Sequence, residues 1–208
     1  MKVILSILLA SSFWNDRCQP FQLRRVLVTY DTRDGHSKKI AGRIADRLHR
    51  SGLNVTCTKL HTSKYIDMFN GAIFGGPVRF GKHSPHLKKF VTRNKKMLEG
   101  MPTAFYSVSL AASGNEEERE LAAEYLRDFL SVVQFQPTIT RSIGGAIRFP
   151  RYNFILKWLM KIKTSSFLKR GESSNSCNAS FGEYEFTDWS SVDHFTQDFK
   201  AAARSWVD

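Results

Sequence analysis

At 208 residues the chain is long enough for one domain with a sizeable core. Lys and Arg outnumber Asp and Glu by 31 to 19, a formal net charge of +12, so anionic partners are indicated: a phosphorylated cofactor, a carboxylate substrate, an acidic membrane surface or nucleic acid. The three cysteines, Cys18, Cys57 and Cys177, are far apart, odd in number and form no CxxC pair, which argues against a disulfide framework or a metal site and for a reducing compartment.

Residues 1–24 begin with a charged Met-Lys start, an apolar run over 3–10 and small residues at 11–12, in the style of a short signal peptide. The run is too short to span a bilayer. A mis-assigned start or a loosely attached extension is preferred over secretion, and the fold is expected in residues 25–208.

Residues 26–30 (VLVTY) read as a buried strand. Residues 31–37 follow as a turn-rich loop, and Ile40, Ile44, Ala45 and Leu48 then fall at helical spacing with Lys38, Lys39, Arg43 and Arg47 off the stripe. A strand, a Gly- and hydroxyl-bearing loop and a helix start together make an anion cradle. Gly35 can take backbone angles closed to other residues, the first N–H groups of the helix face the ligand, and Thr32 and Ser37 can add hydroxyls. An ordinary βα turn with an N-cap is the competing reading.

Residues 54–60 suggest a second strand, with Cys57 a small core or edge residue. Residues 72–75 read as a third strand opening into Gly76-Pro77-Val78-Arg79-Phe80-Gly81, and a helix is expected from about Ser84 with Leu87, Phe90, Val91, Met97 and Leu98 on one side. A fourth strand covers 103–109, a loop 110–115, and a long helix 116–133 with acids in its first turns. Residues 139–147 carry a fifth strand, and a last helix covers about 190–206 with Val192, Phe195, Phe199 and Ala202 inward. Alternating strands and helices imply a parallel sheet covered on both faces, with ligands beyond the carboxyl ends of the strands. The expected class is α/β: a flavodoxin-like, doubly wound, five-stranded parallel sheet.

Between the fifth strand and the last helix lies a stretch that such a sheet does not need, expected as an insertion over 149–180. Residues 148–170 hold Arg148, Arg151, Lys157, Lys161, Lys163, Lys169 and Arg170 and no acid. Phe154, Ile155, Trp158, Leu159 and Ile162 recur at helical spacing among them. A cationic amphipathic helix of this kind suits the headgroup boundary of an anionic membrane, and equally a flat apolar substrate bearing carboxylates. A helix packing its apolar face on the sheet is the alternative.

Several stretches carry a resemblance: TRDGHS (32–37), VRFGKH (78–83), MPTAFYSVSL (101–110), GGAIRFPRYNFILKWLMK (144–161), GE (171–172) and FTDW (186–189). In these the chain resembles the flavodoxin-type, FMN-dependent protoporphyrinogen oxidases of bacterial haem synthesis, the menaquinone-linked protoporphyrinogen dehydrogenases. The resemblance implies that Thr32, Arg33, Asp34, Gly35, His36 and Ser37 hold the FMN phosphate, with acidic Asp34 turned away from it. It places Phe80 and Gly81 beside the isoalloxazine, Phe80 as the stacking aromatic, and Ser107, Val108, Ser109 and Leu110 along its other side through backbone groups. Surface positions for Arg33, His36 and Phe80 are the plain alternatives. FMN is expected rather than FAD, because the loop lacks the GxGxxG turn of a pyrophosphate site.

The resemblance further implies oxidation of protoporphyrinogen IX with electrons passed to menaquinone or ubiquinone, at the cytoplasmic face of the inner membrane. Chemistry then falls to the flavin, with no catalytic triad or metal required. Arg148 and Arg151 are candidate partners for substrate propionates, because guanidinium matches carboxylate geometry; Phe154, Lys157, Trp158 and Lys161 are candidates for substrate or membrane contact. His83 and His86 could relay protons or lie at the surface. The competing functions are a flavodoxin-type electron carrier, an NAD(P)H:quinone reductase, and a flavin-less membrane or RNA-binding module. Carriers of this type are typically acidic, unlike this chain, and without basic–aromatic interleaving outside the insertion no nucleic-acid partner is expected.

Overall fold

The computed structural model describes residues 25–60, 65–148 and 183–206. Its centre is a five-stranded sheet made of β1 (Arg25–Tyr30), β2 (Asn54–Lys59), β3 (Gly71–Pro77), β4 (Thr103–Ser109) and β5 (Ile139–Gly144), in the order β2-β1-β3-β4-β5. Every neighbouring pair in it is parallel. Side chains alternate across each strand, and both faces are covered, so β1, β3 and β4 read as near-continuous apolar runs.

The alternation sorts the core into two layers. Val26, Val28 and Tyr30 of β1, Ile73 of β3 and Ala104, Tyr106 and Val108 of β4 pack on one face. Helix α1 (His36–His49) meets them with Ile40, Ile44 and Leu48, and the C-terminal helix meets them with Val192, Phe195 and Phe199. Leu27, Ala72, Phe74 and Phe105 point the other way. There they meet Leu87, Phe90, Val91 and Leu98 of α2 (Pro85–Glu99) and Leu126, Phe129 and Val133 of α3 (Glu116–Val133).

The helices start where their caps allow. The Ser84 hydroxyl accepts from the Leu87 N–H at 3.1 Å, with Pro85 as the first residue of α2. Asn115 and Glu118 cap α3 reciprocally, each side chain accepting the other's backbone N–H at 3.0 Å. Met97 departs from the expected inward stripe of α2 and is 48 % exposed. Cys57 is exposed on β2, which lies at the sheet edge.

The fifth strand ends earlier than the sequence suggests. Gly145 gives its N–H to the Ser109 carbonyl at 3.0 Å, but its own carbonyl turns to the Phe186 N–H at 3.0 Å. The chain thereby changes partners. Beyond it, β6 (Ala146–Arg148) pairs antiparallel with β7 (Glu183–Glu185), a strand not anticipated from the sequence. The final helix, α4 (Trp189–Arg204), starts behind an Asp188 cap whose carboxylate accepts the Ser190 N–H at 2.9 Å. Ala203 rather than Ala202 is its fully buried alanine. The expectations for residues 1–24 and for the insertion lie outside the described residues. Among the described residues, no helix is long and apolar enough to cross a membrane.

Candidate functional site

Parallel strands put the loops after β1, β3 and β4 on one rim of the sheet. In the first loop Gly35 stands at φ +87°, a left-handed backbone that L side chains rarely adopt, and gives its N–H to the Thr32 hydroxyl at 2.9 Å. This turn delivers the chain into α1, whose first turn contains no acid. Its leading N–H groups have no acceptor within the helix, and the helix dipole adds partial positive charge there. Thr32, Asp34 and Gly35 are half-buried and Arg33 is exposed.

Two members of this stretch turn inward. Ser37 is buried, and its carbonyl accepts the Tyr106 hydroxyl at 3.4 Å. Tyr106 can lie there because Gly75 on the neighbouring strand has no side chain: a Cβ at Gly75 would sit 2.6 Å from the Tyr106 ring and 2.2 Å from its carbonyl oxygen. His36 is 6 % exposed, and its Nε2 lies 2.6 Å from the Thr187 hydroxyl. A surface position for His36 is therefore ruled out, and what it can offer an anion in front of the loop is its backbone.

The second loop closes on itself at Arg79 and Lys82, which exchange N–H···O bonds of 2.9 and 3.0 Å. Between them Phe80 and Gly81 both take positive φ, +50° and +79°, the signature of a tight hairpin turn that normally favours Asn-Gly. Phe80 is 86 % exposed at the tip. An aromatic held in a left-handed backbone and pointed into solvent has no packing reason to be there. His83 closes the loop: its Nε2 lies 3.0 Å from the Ser107 hydroxyl, and its ring packs on Phe129 and Phe105 at 4.7 and 5.4 Å. Burial pulls its pKa down from 6.5 to about 4, so at neutral pH it is an uncharged ring. His86 is exposed on α2.

The third loop starts from Ser107, Val108 and Ser109, all buried at the end of β4, and the half-buried Leu110. The Val108 carbonyl accepts the Val78 N–H at 2.8 Å and the Ser109 hydroxyl accepts the Ala112 N–H at 3.2 Å. The three loops are joined to one another. Asp31 accepts from the Ser84 hydroxyl, His83 meets Ser107, and Val78 meets Val108. The structure thus brings the residues of 32–37, 80–81 and 107–110 to one rim. Arg148 lies in β6, which belongs to the separate β6–β7 pair, and Arg151, Phe154, Lys157, Trp158 and Lys161 lie outside the described residues. Asp31, Ser84 and Thr187 also shape the rim and were not anticipated as site residues, although Thr187 belongs to the FTDW stretch.

A parallel sheet of this strand order, with a glycine-shaped turn into α1 at the carboxyl end of β1, defines the flavodoxin-like class. The flavodoxin-domain family model matches residues 27–173, and the chain belongs to that family. It is 28% identical over 176 residues to a protein of Escherichia coli (strain K12) named protoporphyrinogen IX dehydrogenase (quinone), covering 84% of this chain and 93% of that one. It is 29% identical over 187 residues to a protein of the same name from Leishmania major, covering 86% and 76%. Among solved structures, flavodoxin 2 from Bacillus cereus matches with a TM-score of 0.46 at 16% identity, over 70% of this chain and 99% of that one.

Proposed function

We propose that this chain is an FMN-dependent protoporphyrinogen IX dehydrogenase that passes electrons to a quinone. The observation that carries this reading is the 28% identity to the Escherichia coli dehydrogenase over 84% of this chain and 93% of that protein. The rim fits the cofactor: the Gly35 turn and the acid-free start of α1 suit one phosphate dianion, and the exposed Phe80 stands ready to stack on a flat ring. When bound, FMN supplies the redox chemistry, taking electrons from the porphyrinogen two at a time and giving them to the quinone.

The chain's own residues bind and orient. Thr32, Gly35 and the N–H groups of α1 hold the phosphate, Phe80 and Gly81 cover one side of the ring, and residues 107–110 line the other. Uncharged His83 orients the Ser107 hydroxyl at the end of β4. Arg148 and Arg151 meet the substrate propionates, and the basic–aromatic pattern of 148–170 binds an anionic membrane surface, from which the quinone (menaquinone or ubiquinone) arrives. On this reading the protein works peripherally at the cytoplasmic face of the inner membrane.

The test is anaerobic oxidation of protoporphyrinogen IX, read by porphyrin fluorescence, with menaquinone, ubiquinone or a nicotinamide cofactor as the only acceptor. Quinone-dependent appearance of porphyrin supports the reading. Flavin reduction by NADH or NADPH, with no porphyrin formed, would instead make the protein a quinone reductase.

A further inference from the structure

Three stretches far apart in the chain meet behind the anion cradle: His36 of TRDGHS, Gly144 of GGAIRF and Thr187 of FTDW. The Thr187 hydroxyl donates to the Gly144 carbonyl at 2.7 Å, and the His36 Nε2 lies 2.6 Å from the same hydroxyl oxygen. A hydroxyl has one proton to give, and a carbonyl can only accept. The Thr187 proton is therefore committed to Gly144, and His36 must carry its proton on Nε2 and donate it to Thr187. His36 and Thr187 are 6 % and 8 % exposed, so this chain of bonds is shielded from water. Trp189 stands beside the His36 ring at 6.4 Å, and Lys39, one turn into α1, pairs with Glu185 at 3.1 Å.

His36 is the first residue of α1, directly after the left-handed Gly35. Whatever fixes its side chain also fixes the angle at which the leading N–H groups of the helix face the loop. We propose that Thr187 is a positioning residue for the phosphate end of the cofactor: it locks the His36 tautomer and ring, and so aims the first turn of α1. Gly144 supplies the anchor, because its carbonyl belongs to the end of β5 and is fixed by the sheet. The aim of the cradle is thus set by Thr187, just past the β6–β7 pair and 151 residues away in sequence from His36. This inference rests on the FMN reading above and adds the residue that tunes its phosphate site.

The role separates from simple stability because it concerns the phosphate alone. Riboflavin has the same ring as FMN and no phosphate. Thr187→Val keeps the shape and removes the hydroxyl; Thr187→Ser keeps the hydroxyl. Titration of the apoprotein should show FMN binding weakened about five- to tenfold in T187V, riboflavin binding unchanged, and FMN binding restored in T187S; tenfold corresponds to about 1.4 kcal/mol. Should T187V not fold, His36→Leu and His36→Gln ask the same question. The Gln amide can still donate toward Thr187, so H36Q should retain more of the preference for FMN over riboflavin than H36L. An unchanged FMN-to-riboflavin ratio in folded T187V, or an equal loss for both ligands, overturns the proposal. A wild-type chain that binds riboflavin as tightly as FMN overturns the phosphate cradle itself and the positioning role with it. If the wild-type chain prefers FMN and folded T187V keeps that preference intact, the positioning role falls alone.

Discussion

Phe80 should weaken the fold and strengthen the cofactor site at once, and one substitution separates the two. At φ +50° a residue with a Cβ costs about 1–2 kcal/mol relative to ordinary backbone. Asparagine tolerates this conformation, and Asn-Gly is the preferred pair for such a turn. Phe80 is 86 % exposed, so Phe80→Asn removes little packing. Roughly a seventh of an aromatic side chain, about 30 Å², is lost, worth about 0.7 kcal/mol at most. The apoprotein should therefore gain about 0.5–1 kcal/mol, a rise of about 1–4 °C in Tm for a domain of this size. FMN binding should move the other way, weakening by about 1 kcal/mol, or roughly fivefold, through lost stacking. Thermal unfolding of apoprotein and fluorescence titration with FMN measure the two effects separately. If F80N is no more stable and binds FMN as tightly as the wild type, Phe80 is neither strained nor stacked, and the reasoning fails.

Gly35→Ala places a Cβ at φ +87° and should weaken FMN by about tenfold in a protein that still folds, as followed by titration. His83 titrates near 4 when folded against 6.5 when unfolded, so its contribution is whole above pH 6.5 and is lost as the pH falls to about 4. The unfolding free energy from urea titration should accordingly drop by roughly 1–3 kcal/mol across that window, and His83→Phe should flatten that part of the profile. Asp193 accepts bonds from Arg43 at 2.8 Å and from Arg47 at 3.0 Å, and the Arg43 bonds first hold its carboxyl down at about 2. Its stabilisation is present above pH 3.8 and lost as the pH falls through 2. Discounted for solvent-exposed arginines, Asp193→Asn should cost about 1 kcal/mol in denaturant at neutral pH and little at pH 2. Replacing residues 149–170 by a short Gly/Ser bridge should abolish co-sedimentation with anionic liposomes, each basic residue being worth roughly 1 kcal/mol there, and leave FMN titration unchanged.

The sheet and its helices were legible because burial on both faces forces apolar runs in β1, β3 and β4, and because α1 and α2 carry regular stripes. The turn into α1 was legible for the same local reason: Gly35 sits between a strand and a helix start. What escaped was set by distant partners. The inward turn of His36 depends on Thr187 and Gly144, and no spacing near residue 36 announces it. The early end of β5 depends on Phe186, which takes the Gly145 carbonyl and draws the chain out of the sheet. Phe80 was legible as the one aromatic of the second loop, but its left-handed backbone was not, since glycine, asparagine and aspartate are the usual markers of that conformation. Met97 fell on the apolar side of the helical spacing and yet lies half in solvent at the end of α2.

The most direct measurement is a stoichiometric one. FMN-loaded protein is mixed anaerobically with protoporphyrinogen IX, and flavin absorbance and porphyrin fluorescence are followed together before and after addition of a menaquinone analogue. The flavin should bleach as substrate is oxidised, porphyrin formation should stall once the flavin is spent, and the quinone should restore both colour and turnover. A flavin that stays oxidised while protoporphyrinogen is present, in a protein that dithionite reduces normally, would contradict it.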